Sequence, residues 1–345
     1  MMNPRTEAIL EKIVIHYVST AEPVGSRALT KLVDIKISAA TVRNIMADLT
    51  DMGLIVQPHI SAGRIPTDLG YRYYINEILN NEENNTTKTE LPNISEKTFN
   101  VSRLEDILVE AIAELTNATD CTSVVLSPQA SVSKLKKIEF IKLNDKQILI
   151  ILITKIGMVR NKIIPLRECP DQERLNNISK LLCDLFENVT IKDIREKLVE
   201  TLSKMSDEID FPISQAIRLG KKAFELDIEN DIFVLGRSKM CSFPEFGDQE
   251  RLKTVYGILD DKTALFKTLI NIMNNDGVQI KIGNENKYQG LDQCSIIAGS
   301  YGNQNYLLGS IGIIGPTRID YSKIIPEIDY STQKLSYAVD KFLSN

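Results

Sequence analysis

The chain has 345 residues, 43% of them hydrophobic and 25% charged, with 41 Lys/Arg against 46 Asp/Glu and a formal net charge of −5. That balance describes a soluble globular protein of two or three domains with ample core. It excludes a membrane span: the longest apolar run, "QILIILITKIGMV" at 147–159, is broken by Thr154 and Lys155, and the N-terminus has no signal-peptide pattern, so the chain is expected in the cytoplasm with no membrane partner.

Helical periodicity opens the chain over residues 4–19, with Ile9, Leu10, Ile13, Val14 and Tyr17 on one face. Pro23 and Gly25 break it. Ser26 then caps a short helix whose buried side is Ala28, Leu29 and Leu32. After the connector "DIKIS", Ser38 is the N-cap of a helix over 38–52, ended by Gly53. Val42, Ile45, Met46 and Leu49 fall at i, i+3, i+4 and i+7, which predicts a core-facing stripe.

The opposite face of that helix carries Ala40, Asn44 and Ala47, flanked by Thr41 and Arg43. An ordinary solvated helix would carry Glu and Lys there. Small methyls, an amide, a hydroxyl and a guanidinium near an N-terminal end suit a helix that enters the major groove. Arg43 can pair with guanine, Asn44 with adenine, and the methyl of Ala40 or Thr41 can touch thymine. The positive N-terminus, capped by Ser38, suits a phosphate. Asp48 and Asp51 at the other end would repel phosphates, so the helix enters tip first. Taken alone, the same helix also reads as a plain core helix of a small bundle.

"LIVQPHISAGRIPT", residues 54–67, predicts two short strands around a Ser61-Ala62-Gly63 turn. His59 and Arg64 flank that turn, so His59, Ser61, Gly63 and Arg64 form a candidate wing that lays an arginine along the backbone or into the minor groove. An exposed β-turn is the competing reading. "DLGYRYYINEIL", 68–79, returns to helix, with some of its tyrosines in the core. Arg72 on it and Arg27 on the short helix are phosphate candidates. Three helices, a hairpin and a helix within 1–80 make a winged helix-turn-helix pattern. Residues 1–80 hold eight Lys/Arg and eight Asp/Glu, so the segment is neutral, but 27–72 hold six basic and four acidic groups.

Polar, Asn-rich "NNEENNTTKTE", 80–90, has no periodicity and reads as a linker, placed at 81–102. Beyond it "LEDILVEAIAELT" is helical, and "TSVVLS", "KKIEFIKL", "KQILIILIT" and "MVRNKIIPL" are strands. Residues 171–228 are helical and charged, "DIFVLG" is one more strand, and 248–275 are helical. Strands "VQIKI", "CSIIAGSY" and "YLLGSIGIIG" follow, then a helix with Leu335, Val339 and Phe342 on one face. Strands on both sides of a helical block predict an α+β multidomain protein with an insertion.

Catalytic and metal chemistry find little material. The five cysteines, 121, 169, 183, 241 and 294, form no CxxC pair, and the histidines are His16 and His59. "GSIGIIG", 309–315, lacks the strand–turn–helix context of a dinucleotide site and reads as a strand ending in a Gly315-Pro316 turn. Asp260 and Asp261 have no partner constellation. No catalytic residue, metal site or cofactor is expected, and nothing argues for an enzyme.

The segments "YVSTAEPVGSRAL", "ISAATVRNIMADL", "HISAGRIPTDLGYRYYI", "PEFGDQERL", "IKIGNEN" and "GIIGPTRIDYSKII" span residues 17–325. In them the sequence resembles the heat-inducible transcription repressor family HrcA, which controls bacterial chaperone operons. It departs at Ile60, where the family usually has Thr, and at Thr50, where an acidic residue is usual. The resemblance implies an N-terminal winged-helix domain, a GAF-like domain (here placed at 103–166 and 248–345) and an inserted dimerisation domain (placed at 167–247); the charged helical block 171–228 is the candidate seam. It implies a homodimer on an inverted-repeat operator in double-stranded DNA, released on heat stress, with the chaperonin as modulator. The recognition-helix role falls on Thr41, Arg43 and Asn44, and the wing on His59 through Arg64. The alternative is a winged-helix factor sensing a small ligand through its GAF-like domain.

Overall fold

The computed structural model describes residues 2–32, 37–60, 62–84, 104–128, 134–155, 159–204, 211–224, 232–273, 277–286, 290–303 and 306–344. Helix α1 (Pro4–Thr20) starts on Asn3, whose side chain accepts from the Arg5 N–H, with Pro4 in the first helical position, where the missing N–H costs nothing. It stops where Ala21 turns left-handed at φ 58°. Ile9, Leu10, Ile13 and Val14 are buried against α2 (Ser26–Leu32), α3 (Ala39–Asp51) and α4 (Asp68–Asn84). On α2 only Leu29 is buried. Ala28 and Leu32 are exposed: the helix is only about two turns long, and Leu32 is its last residue.

Between α3 and α4, β1 (Ile55–Val56) pairs antiparallel with β2 (Ile65–Pro66). Val24 adds a third rung: it exchanges both backbone hydrogen bonds with Arg64, at 3.0 and 2.9 Å. Helix α4 runs to Asn84, into the expected linker, and residues 85–103 lie outside the described ones.

Helix α5 (Leu104–Thr119) leads into β3 (Thr122–Leu126). Further along come β4 (Leu135–Asn144), β5 (Gln147–Thr154), β6 (Val159–Pro165), α6 (Gln172–Leu185), α7 (Ile191–Lys204), α8 (Phe211–Ala223) and β7 (Ile232–Leu235). The chain ends with α9 (Gln249–Asp260), α10 (Lys262–Met273), β8 (Val278–Ile282), β9 (Cys294–Asn303), β10 (Tyr306–Pro316) and α11 (Tyr321–Ser344). The fold is mixed α/β with several sheets.

The chain divides into two compact units. The first holds Met1–Leu126, Ile232–Tyr301 and Ser310–Ala338. Its five-stranded sheet has the order β7-β3-β10-β9-β8. One face, with Val124, Leu126, Ile296, Ala298 and Ile314, packs on Val255 and Leu259 of α9 and Leu265 and Leu269 of α10. The other meets α5 and α11; Gly299 lets the sheet approach so closely that a Cβ there would sit 2.7 Å from Thr332. The "GSIGIIG" glycines lie inside β10, which runs on through Gly315 to Pro316. A Cβ on Gly312 would meet Ala298 and the Ile297 carbonyl at 2.3 Å, so this glycine serves close strand packing.

The second unit holds Ser127–Asp231, Gly302–Gly309 and Val339–Asn345. The strands β4-β5-β6 form an antiparallel meander that buries Ile138, Phe140, Ile148, Ile150, Leu152 and Ile164. These strands were expected in the GAF-like segment 103–166; in the structure they belong with the helices of 172–223. The reason is the free edge of β4. Side chains one and two turns apart on α6 satisfy it: Gln172 Oε1 accepts from the Lys142 N–H (2.8 Å), Ser179 Oγ from Phe140 (3.2 Å) and Cys183 Sγ from Ile138 (3.4 Å).

Candidate nucleic-acid interface

Helix α3 is built to expose one face. Val42 and Leu49 have no accessible surface and Met46 little, so the apolar stripe is consumed by packing on α1 and α2. Ile45 is half-buried at the margin, while Ala40, Thr41, Arg43, Asn44, Ala47 and Asp48 are all exposed. Ser38 is the N-cap: its Oγ accepts from the Thr41 N–H at 3.1 Å and lies 2.9 Å from the Thr41 hydroxyl. This spends one of the first-turn amides and leaves the others at an exposed, partly positive helix end. Arg27 is exposed on α2, which packs on α3.

The hairpin beside α3 is braced from within. Gln57 Nε2 donates to the carbonyls of Ile60 (2.8 Å) and Ala62 (3.0 Å) across its tip. His59 is exposed, and Ile60 is fully so, at 100%. Ser61 lies outside the described residues. Gly63 is half-buried, and a Cβ on it would strike the Val24 backbone at 2.4 Å, so only glycine admits the third rung of the ladder. Arg64 is also half-buried. Its Nε donates to Thr50 Oγ1 at 3.3 Å, tying the hairpin to the end of α3. Sequence reasoning missed Gln57, Thr50 and Val24 in these supporting roles; the one signal was the glycine two residues before β2.

Arg72 does not join this face. It points to the edge of the five-stranded sheet, where its guanidinium pairs with Glu285 through Nε (2.8 Å) and Nη2, and donates to the Ile280 carbonyl at 2.7 Å. The phosphate role expected for Arg72 therefore has a competitor: a carboxylate of its own chain pairs with the guanidinium. Burial opposes the charge on Glu285, but the Arg72 hydrogen bond and the Ile282 N–H outweigh it and hold the carboxyl below the usual range. Of the neighbouring tyrosines, Tyr71 is buried, while Tyr73 and Tyr74 are half-buried.

Among the described residues, no group of three or more His, Cys, Asp or Glu gathers into a metal-holding set, and no helix is long and apolar enough to cross a membrane. Burial pushes the Cys121 and Cys294 thiols up to about 12, which leaves them protonated and unreactive.

The profile of the HrcA protein C-terminal domain matches residues 105–325. The chain is 33% identical to the heat-inducible transcription repressor HrcA of Syntrophobacter fumaroxidans, over 99% of this chain and 98% of that protein. It is 35% identical to the repressor of the same name from Geobacter sulfurreducens, over 97% of each. Among solved structures it is similar to the crystal structure of a hypothetical protein, with a TM-score of 0.65 and 22% identity, covering 99% of this chain and 100% of that one. That last likeness is one of fold.

Proposed function

The chain belongs to the HrcA family of heat-inducible transcription repressors, and from that premise we propose that it represses heat-shock chaperone operons by binding an inverted-repeat operator as a homodimer. Residues 1–80 are the winged helix-turn-helix. Helix α3 is the recognition helix, with Thr41, Arg43 and Asn44 reading base edges and Ala40 allowing close approach. Ser38 and Arg27 contact phosphates, and the hairpin from His59 to Arg64 is the wing.

The observation that carries this reading is the pairing of a stripe on α3 buried at Val42, Met46 and Leu49 with an exposed face of small, amide, hydroxyl and guanidinium groups. A helix needed only for packing has no reason to keep that face free of Glu and Lys.

The five-stranded sheet with α5, α9, α10 and α11 is the GAF-like core, and residues 127–231 are the inserted dimerisation domain. Its seam is the outer face of the meander, in place of the charged helical block 171–228. Ile141, Leu149 and Ile163 form one cross-strand row there, and Ile153 pairs with Val159. Val159 and Ile163 are each 57% exposed. Aliphatic residues lined up on one open sheet face favour a self-complementary contact. The family's heat-inducible character implies release on heating, with the chaperonin as modulator, in the cytoplasm.

The test is a titration of purified protein onto an inverted-repeat duplex of the family type and onto a scrambled duplex, at two salt concentrations. Tight binding to the repeat alone, as a dimer, with a salt slope that reports phosphate contacts, is the expected result. Equal affinity for both duplexes, with and without added chaperonin, refutes it. Heating the complex with and without chaperonin then tests the release.

A further inference from the structure

Three segments that carried the family resemblance, "PEFGDQERL", "IKIGNEN" and "GPTRIDY", lie outside the proposed DNA-reading face. Within the first unit they come together against the first and last helices of the N-terminal module. Arg318, just before α11, grips Glu245 through Nε (2.5 Å) and Nη2 (3.3 Å), and its Nη1 donates to the Val18 carbonyl at 2.6 Å. Val18 lies in the last turn of α1, where carbonyls lack partners within the helix and a cation is favoured. Helix α1 has no basic residue there, so the core supplies one. The side chains of Arg318 and Glu245 are only 11% and 21% exposed, so solvent screens the pair weakly.

A second anchor lies at the start of α4. Asp68 Oδ2 accepts from the Asn284 backbone N–H and from its Nδ2, both at 3.0 Å, and one turn on Arg72 pairs with Glu285. Gly283, at φ +48°, makes the seat: a Cβ there would overlap the Asp68 carboxylate at 2.2 Å. Tyr71 packs against Tyr321 with ring centroids 5.7 Å apart, which gives the seam an apolar component.

Anchors on two different helices prevent rotation about either one. We propose that this seam is a positioning element for DNA binding: Arg318 on α1, and Asn284 with Glu285 on α4, fix the direction in which each α3 points and so set the half-site spacing that the dimer accepts. The proposal rests on the operator-binding reading above. A rigid mount makes the second half-site engagement intramolecular at high effective concentration, but only where the geometry fits.

The experiment uses the full chain. Wild-type protein first selects its inverted repeat from random-sequence duplex DNA. Dissociation constants are then measured for wild type, Arg318→Gln and Gly283→Ala on a single half-site and on repeats whose spacer is varied base pair by base pair. Circular dichroism and gel filtration check folding and dimer state; Arg318→Gln, the milder change, carries the test if Gly283→Ala misfolds. The expected result is half-site affinity within about twofold of wild type, a loss of at least about tenfold at the preferred spacing, and a flattened spacing profile. An unchanged profile, or equal losses on half-site and repeat, overturns the positioning role alone. A wild-type protein that selects no inverted repeat overturns the operator reading and the positioning role with it.

Discussion

Arg43 on α3 and Arg72 on α4 start from the same position in sequence terms. Each is a cation on the polar side of an amphipathic helix in one small module. In the structure they part. Arg43 is exposed on a face with Ala40, Thr41 and Asn44, whereas Arg72 is half-buried against Glu285 and the Ile280 carbonyl. A guanidinium can serve either DNA or its own fold, and what decides is whether a carboxylate from elsewhere in the chain reaches it first.

The strongest way to break this comparison is to remove the packing that holds α3. Leu49 has no accessible surface. Leu49→Ala is expected to cost about 2–5 kcal/mol of stability through lost transfer energy and a cavity. Urea titration reads it, and DNA binding should fall with folding. Next comes Arg43→Ala, expected to weaken operator binding by roughly 1–3 kcal/mol and to relax base preference while stability stays as in wild type. An equal loss on operator and random duplexes would return α3 to a packing helix.

Arg27 and Arg72 then sharpen the contrast through salt. On a single half-site, Arg27→Ala should weaken binding for every sequence and reduce the salt slope by about 1, while Arg72→Ala should leave the slope unchanged. A lowered slope for Arg72→Ala would show that its pairing with Glu285 yields to phosphate.

The smallest effect is acid lability. The Glu285 carboxyl is held below its ordinary value of 4.5 in the fold. Its contribution is therefore fully present above that value and is lost as pH falls through it towards the lower folded value. Thermal unfolding across that window should show an acid-side loss that Glu285→Gln abolishes.

Most of the helix and strand pattern was legible because local rules govern it. Ser38 caps α3 as read from the sequence, and Gly53 closes that helix in a left-handed turn, whereas Ser26, read as a cap, is the first residue of α2, whose Ala28 and Leu29 amides bond to the Gly25 carbonyl. The stripe on α3 follows from a 3.6-residue period alone. Leu32 departed because it is the last residue of a helix of about two turns and has no neighbour to cover it. The meander β4-β5-β6 was legible as strands, yet its place was not, because sheet membership depends on which helix closes the β4 edge.

The sequence by itself determined the elements, the exposed face of α3 and the family, since each is written in local periodicity, caps or contiguous motifs. Only the tertiary structure decided that Arg72 turns inward, that Arg318 caps a helix 300 residues away, and that Gly283 makes room for Asp68. Those contacts join segments far apart in the chain. Whether a charge or a glycine finds its partner depends on how the sheet brings distant loops together, and no spacing along the chain encodes that.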